Sequence, residues 1–265
     1  MNKYKLIAID IDGTLLNSKR MLPLETKHDI VSAYNKGVKI CICTGRSYPA
    51  AKPYINELNL DIPLILYNGC RIRMSFDDRI LYEETIPCEI SKEVYDLINS
   101  HNGTCCFWKN DKLYFNKNDK YTVYYENITS IKPTIVNEAS EELLSNITKF
   151  IWFGEPEELV HVQKEILSKV SGINFFKSQT HILEIVPKSV SKGMTLKVLV
   201  DTLGIKQSEV IAIGDDENDI SMIEYAGLGV AMGNANALVK NIANYITSTN
   251  DENGVGEVIR KFIFK

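Results

Sequence analysis

The sequence predicts an α/β fold: a mostly parallel sheet flanked by helices, interrupted by an inserted α+β unit. Three observations carry this. Short, wholly apolar runs alternate with helical patterns from Leu6 to Tyr67, the rhythm of repeated βα units. The same rhythm returns from Ser191 onward. Between them, a stretch of about a hundred residues reads as hairpins and separate helices, long enough for a small domain. The core is therefore expected over 1–84 and 188–265, and the insertion over 85–187.

Leu6 to Asp10 is an apolar run ending at a glycine turn, as a buried parallel strand does. Pro23 to Lys36 reads as a helix closed by Gly37. Val38 to Thr44 is a second strand, followed by the loop Gly45-Arg46. Pro49 and Pro53 predict a short or irregular helix after it. Leu64 to Tyr67 is a third strand, ending at Asn68-Gly69. Arg71 to Ile86 reads as a hairpin around Asp77-Asp78, Glu89 to Ser100 as a helix, and Thr104 to Asn116 as a hairpin turning at Asn110-Asp111. Helices are expected at 138–146 and 156–170, and strands at 174–177 and 181–186. After Ser191 the order is helix 192–203, strand 210–213, helix 218–225, strand 228–232, helix 236–243, edge strand 245–247 and a tail helix 254–264.

With 45% hydrophobic and 24% charged residues in 265, the chain can bury a sizeable core. A net charge of −4 with no dense Lys/Arg run argues against nucleic acid or an anionic membrane as partner. The apolar start is too short for a signal segment, and no stretch nears the ~20 apolar residues of a membrane span, so a cytoplasmic location is expected. None of the six cysteines forms a C-x-x-C pair; Cys41 and Cys43 read as small buried hydrophobes on one strand face. Asn127-Ile128-Thr129 and Asn146-Ile147-Thr148 match the glycosylation pattern, which carries no meaning without a secretion signal. The histidines at 28, 101, 161 and 181 are scattered, and only His181 is placed where it could face a cleft. Phe107, Trp108, Tyr114 and Tyr121 are candidates either for the insertion's substrate face or for its core.

Ligands of open parallel α/β sheets bind beyond the carboxyl ends of the strands. Asp10 and Asp12 follow the first strand, Thr44 the second, and Asp215 and Asp216 the strand at 210–213, so all fall at one sheet edge. Carboxylates gathered there repel unless a cation sits among them, and hard oxygen ligands favour magnesium. Asp10 could then attack phosphorus, while Asp12 protonates the leaving oxygen and later deprotonates water. Gly13 permits the tight turn between them, and a lysine with hydroxyl or N–H donors should surround the phosphoryl group.

Four segments resemble the motifs of the haloacid dehalogenase (HAD) superfamily in its order: Asp10-Ile11-Asp12-Gly13-Thr14, Thr44-Gly45-Arg46, Ser191-Lys192-Gly193 and Gly214-Asp215-Asp216-Glu217-Asn218-Asp219. An insertion between the second and third resembles the cap of class IIB, Cof-type phosphatases. Asn68-Gly69, Leu183-Glu184-Ile185 and Val230-Ala231-Met232-Gly233-Asn234-Ala235 agree as well. Cys43 stands where Ala is usual and Ser189 where Gly is common; neither removes a reactive group. The resemblance implies a Rossmann-like core with an α+β cap that sets specificity. It implies Asp10 as nucleophile, Asp12 as general acid/base and Lys192 as the charge partner of both nucleophile and phosphate. Magnesium would be held by Asp10, the Asp12 carbonyl and Asp215, with Asp219 in support. Thr44, Gly45, Lys192 and Asn218 would contact phosphate, and Arg46 and Asn68 the substrate. The expected activity is magnesium-dependent hydrolysis of a small phosphorylated metabolite through an aspartyl-phosphate, the substrate being a sugar phosphate or a flavin or pyridoxal phosphate. A hexose phosphomutase or a non-catalytic phosphometabolite-binding protein is the alternative, and a monomer or weak homodimer is expected.

Overall fold

The computed structural model describes residues 3–77 and 79–264; Asp78 of the expected hairpin turn lies outside them. Two compact units emerge. One comprises Met1–Arg46, Ala51–Glu83 and Ser191–Lys265, the other Ser47–Ala50 and Glu84–Val190.

In the first unit the chain runs β1 (Leu6–Ile9), α1 (Leu24–Asn35), β2 (Lys39–Cys43), α2 (Tyr48–Leu58, of which the part from Ala51 onward belongs to this unit), β3 (Pro63–Leu66), β4 (Arg71–Met74) and β5 (Ile80–Glu83). The second unit holds α3 (Cys88–Ser100), β6 (Thr104–Lys109), β7 (Lys112–Phe115), α4 (Lys120–Thr129), β8 (Thr134–Ile135), α5 (Glu141–Leu144), β9 (Lys149–Phe153), α6 (Pro156–Lys169), β10 (Ile173–Gln179) and β11 (Ile182–Pro187). The chain then returns to the first through α7 (Lys192–Thr202), β12 (Val210–Gly214), α8 (Ile220–Tyr225), β13 (Leu228–Ala231), α9 (Ala237–Ile242), β14 (Tyr245–Ile246) and α10 (Gly254–Phe262).

The first unit is the α/β core. Its eight strands are ordered β14-β13-β12-β1-β2-β3-β4-β5, parallel from β14 to β3 and antiparallel from β3 to β5. β1 is buried at every residue and lies between β12 and β2, which suits its unbroken apolar run. Ile9 pairs with both Ile213 and Ile42, so Asp10, Asp215 and Thr44 emerge together where the chain order reverses. Such a reversal is where open α/β sheets bind ligands. Cys41 and Cys43 are buried on β2 with sulfurs 3.7 Å apart.

Two prolines do not shorten α2. Pro49 occupies its first turn, where a missing N–H costs nothing, and Pro53 removes a single bond from an eleven-residue helix. No helix among the described residues is long and apolar enough to cross a membrane.

The second unit carries a six-stranded sheet ordered β10-β11-β9-β6-β7-β8. Val94 and Ile98 of α3 and Leu159, Val162 and Ile166 of α6 join Phe107, Phe150, Trp152, Leu183 and Ile185 in one apolar cluster. Phe107 stacks on Tyr114 at 5.3 Å, so these two aromatics serve the core. Asn110 and Asp111 both take positive φ, 51° and 60°, the pair that a two-residue hairpin needs. His101 Nε2 pairs with Glu165 at 2.8 Å, His181 Nδ1 lies 3.7 Å from Glu155, and His28 and His161 are exposed.

Candidate active site

Asp10 leaves the end of β1 with 4% of its surface exposed. Its Oδ1 accepts a hydrogen bond from Lys192 Nζ at 2.7 Å, and the same ammonium donates to Asp219 Oδ1 at 2.6 Å. Lys192 is the first residue of α7, whose start is capped by Ser191 Oγ accepting from the Met194 N–H at 3.1 Å. A Cβ on Gly193 would meet the Ser221 carbonyl oxygen at 2.1 Å, so glycine there lets α7 approach α8 closely enough to bring Lys192 inward.

Asp219 uses both carboxylate oxygens. Oδ1 takes the lysine, and Oδ2 accepts the backbone N–H groups of Asp215 and Asp216 at 3.0 and 3.2 Å. It therefore holds the turn after β12 in shape from behind. Asp215 Oδ1 accepts from the Thr14 hydroxyl at 2.8 Å. Gly13 has φ 77°, and a Cβ on it would sit 2.2 Å from Asp215 Oδ2. One oxygen from each of Asp10, Asp215 and Asp219 lies within 4.8 Å of the others.

Three carboxylates against one ammonium leave two negative charges in a nearly dry place. Burial raises Asp10 well above its usual range, Asp219 adds to this, and Lys192 opposes it. Burial, then Asp219, pushes Asp215 up to about 7. Lys192 is raised: burial opposes its charge, but Asp10 and Asp219 outweigh that cost. An all-oxygen donor set with excess negative charge fits a hard divalent cation such as magnesium.

Asp12 points elsewhere. Its carboxylate is half-exposed and is forked by Arg46, Nε to Oδ2 at 2.7 Å and Nη2 to Oδ1 at 2.6 Å. Arg46 also lies over the Tyr54 ring, 5.0 Å from its centroid. Burial opposes the guanidinium charge, but the bond to Asp12 raises its pKa. Arg46, which the sequence places on the substrate, is here also bonded to the acid/base candidate.

The remaining predicted residues gather at the ends of β2 and β3. Thr44 Oγ1 accepts from the Arg46 N–H at 3.1 Å, and the Thr44 carbonyl accepts from the Asn68 N–H at 3.1 Å. Tyr67 and Asn68 take φ values of 54° and 60°, strained for non-glycine residues, and the turn aims the Asn68 side chain at the loop. A Cβ on Gly45 would meet Asn68 Oδ1 at 2.7 Å. That same oxygen accepts from Asn218 Nδ2 at 3.0 Å.

Three contacts were not read from sequence. Ser221 Oγ accepts from the Gly193 N–H at 3.0 Å. Asn234 Nδ2 donates to the Gly13 carbonyl at 2.8 Å, and Asn250 Nδ2 to the Leu16 carbonyl at 2.8 Å. Asn234 lies within a segment already noted for its resemblance to the family, which was the available signal.

A family model described as haloacid dehalogenase-like hydrolase matches residues 7–259. The chain belongs to the haloacid dehalogenase-like hydrolases. Among relatives, it is 30% identical over 265 residues to a 5-amino-6-(5-phospho-D-ribitylamino)uracil phosphatase, YitU of Bacillus subtilis, with 98% of each chain covered. A haloacid dehalogenase-like hydrolase from Bacteroides thetaiotaomicron superposes with a TM-score of 0.89 at 32% identity, covering 97% of this chain and 99% of the other. The subclass IIB sugar phosphatase BT4131 superposes at 0.83 with 26% identity, covering 97% and 98%. In this hydrolase the matched span takes in Asp10, Thr44, Lys192, Asp215 and Asp219, and its phosphatase relatives agree with a phosphoric monoester hydrolase.

Proposed function

We propose that the chain is a magnesium-dependent phosphatase of small phosphorylated metabolites, sugar phosphates or related phosphopolyols, working through a phospho-aspartate on Asp10. The observation that carries this is the Lys192 ammonium, buried between Asp10 and Asp219 beside Asp215. A structural role alone would be met more cheaply by apolar residues of similar volume. The sugar-phosphate and ribitylaminouracil-phosphate specificities named for relatives support the substrate class.

Asp10 attacks phosphorus in line, and the bond from phosphorus to the leaving oxygen breaks as the phosphoryl group passes to the carboxylate. Asp12 gives the leaving oxygen its proton. Asp12 then takes a proton from water as that water attacks the phosphorus, releasing inorganic phosphate and restoring the Asp10 carboxylate. Lys192 holds Asp10 in place and neutralises charge on the phosphoryl oxygens. Thr44, the Gly45 N–H and Asn218 supply further donors, with Asn218 oriented by Asn68. Magnesium, held by Asp10, Asp215 and the Asp12 carbonyl with Asp219 behind, would add charge neutralisation at the transferring phosphoryl group.

The test is phosphate release from a panel of sugar, polyol, flavin, pyridoxal and nucleotide phosphates, with magnesium and with EDTA. Magnesium-dependent turnover that disappears in Asp10→Asn is expected. Turnover that survives Asp10→Asn, or that EDTA leaves intact, would overturn the mechanism.

A further inference from the structure

Outside the four motif segments, a chain of hydrogen bonds fastens the turn that carries Asp12. The turn is the left-handed step at Gly13, φ 77°, directly after Asp12. On one side it rests against Asp215, which takes the Thr14 hydroxyl at 2.8 Å and lies so close to Gly13 that no Cβ fits. On the other side the Gly13 carbonyl accepts from Asn234 Nδ2 at 2.8 Å. Asn234 is itself held, because its Oδ1 accepts from the Asn250 N–H at 3.0 Å. Asn250 then reaches back with Nδ2 to the Leu16 carbonyl at 2.8 Å, and Asp251 Oδ1 accepts from the Ser18 N–H at 2.9 Å.

The amide orientation of Asn234 follows from its partners. A backbone N–H demands its oxygen and a backbone carbonyl demands its nitrogen, so the side chain fits one way only. Asn234 is exposed, and a single exposed hydrogen bond adds little to stability. Its worth as a fold-stabilising contact is therefore small, while the atom it grips is one peptide away from the acid/base candidate. The phosphate-side groups, Thr44 and Lys192, stand on other segments and do not depend on it.

We propose that Asn234 is a positioning residue for Asp12, holding the Gly13 turn against Asp215 through the Gly13 carbonyl, with Asn250 orienting it. This rests on the phosphatase reading. Its consequence for kcat/KM is specific: loosening the turn misplaces the proton donor, so the loss falls mainly on substrates whose leaving group needs protonation, while water activation by Asp12 comes only after that group has left. An alkoxide leaving from a sugar phosphate needs the proton, whereas p-nitrophenolate leaves without it.

The test compares kcat/KM for p-nitrophenyl phosphate with that for the best sugar phosphate of the panel, in wild type, Asn234→Asp, Asn234→Ala and Asn250→Ala, alongside thermal midpoints. Asn234→Asp keeps the size and the acceptor for the Asn250 N–H but replaces the donor with an oxygen and adds a negative charge, whereas Asn234→Ala removes the donated bond without adding charge, so a loss common to both variants belongs to that bond. The expected result is a loss of about 10- to 100-fold on the sugar phosphate, since a misplacement near 1 Å costs on that order. The p-nitrophenyl ester should lose clearly less, because its leaving group does not call on the acid, and only the part of the loss that comes from the Asp12 carbonyl and Thr14 is common to both esters. Midpoints should be unchanged, and Asn250→Ala, which keeps its backbone N–H, should lose less. Equal losses on both esters, or no loss on either, would overturn the assignment. Asp10→Asn, assayed on both esters in parallel, separates the two ideas: survival of turnover there refutes the phospho-aspartate and not the anchoring of the turn.

Discussion

Replacing Lys192 with Met removes a cation that is 1% exposed and shared between Asp10 at 2.7 Å and Asp219 at 2.6 Å. Methionine fills a similar volume, so the change is electrostatic rather than steric. Breaking a buried pair by deleting one partner costs about 3–5 kcal/mol, because the other charge is left without compensation. Here two carboxylates are orphaned together, which places the loss at the upper end of that range in metal-free protein. For a domain of this size, about 2–4 °C of Tm accompanies each kcal/mol, so a fall of roughly 10–20 °C is expected in EDTA. The assay is thermal unfolding of Lys192→Met with and without magnesium, together with Lys192→Met/Asp219→Asn. Neutralising Asp219 removes one of the orphaned charges, so the double variant should recover part of the loss. Magnesium should also recover part in the single variant by neutralising the same carboxylates. Phosphatase activity should be abolished throughout. A Tm in EDTA within about 2 °C of wild type, corresponding to under about 1 kcal/mol, would refute the view that Lys192 is the internal counter-charge of the site.

Two further predictions concern the same charges. Asp215, held near 7 against an ordinary 3.8, keeps a proton in the folded chain that the unfolded chain has already released. The contribution of Asp215 to metal-free stability should therefore be fully present below about pH 4 and be lost as pH rises to about 7, and magnesium should flatten that part of the slope; urea midpoints of wild type and Asp215→Asn across pH, with EDTA or magnesium, check this. Arg46→Ala frees Asp12 from its fork, and kcat/KM on a sugar phosphate should fall about tenfold or more. Tm should shift by less than the equivalent of about 1 kcal/mol, because Asp12 is half-exposed; steady-state kinetics beside thermal unfolding tests both halves.

Much of the core was legible because its signals are local. β1, β2, β3 and β12 are short apolar runs whose last residues lead into Asp10, Thr44, Asn68 and Asp215, and a parallel sheet carries such ends to one edge. β9 was not read at all. Lys149–Phe153 is buried at all five positions, so it shows no alternation, and its place between β6 and β11 is a matter of long-range pairing. α4 was also missed. Its interior of Tyr, Thr and Val has weak helix propensity, and the helix starts on a capping box formed by Asp119 and Thr122. The expected helix at 138–146 shrinks to Glu141–Leu144. At the site, residue types were readable but pairings were not. Arg46 joins Asp12 across 34 residues, and Asn234 reaches Gly13 across 221; neither partner choice is written in local pattern.

The site's excess charge also explains why its supports are so numerous. Holding Asp215 ionised near neutrality, from an ordinary 3.8 to about 7, opposes folding by about 4 kcal/mol. A cation present at a hundred times its dissociation constant contributes about 2.7 kcal/mol in the other direction. The two are of the same order, so in the proposed reading metal binding offsets most of the cost that the charge cluster imposes. Until then the carboxylates push apart, and only bonded neighbours keep them in register: Lys192 between Asp10 and Asp219, the amides of 215 and 216 on Asp219, and Thr14 on Asp215. Each restrains a side chain that repulsion would otherwise move. In the proposed reading Asn234 does the same for the backbone between Asp12 and Thr14, the stretch that carries both the candidate acid/base carboxylate and the hydroxyl gripping Asp215. A site assembled from mutually repelling groups therefore needs restraints in proportion to its charge, and here those restraints come from segments on both sides of β1.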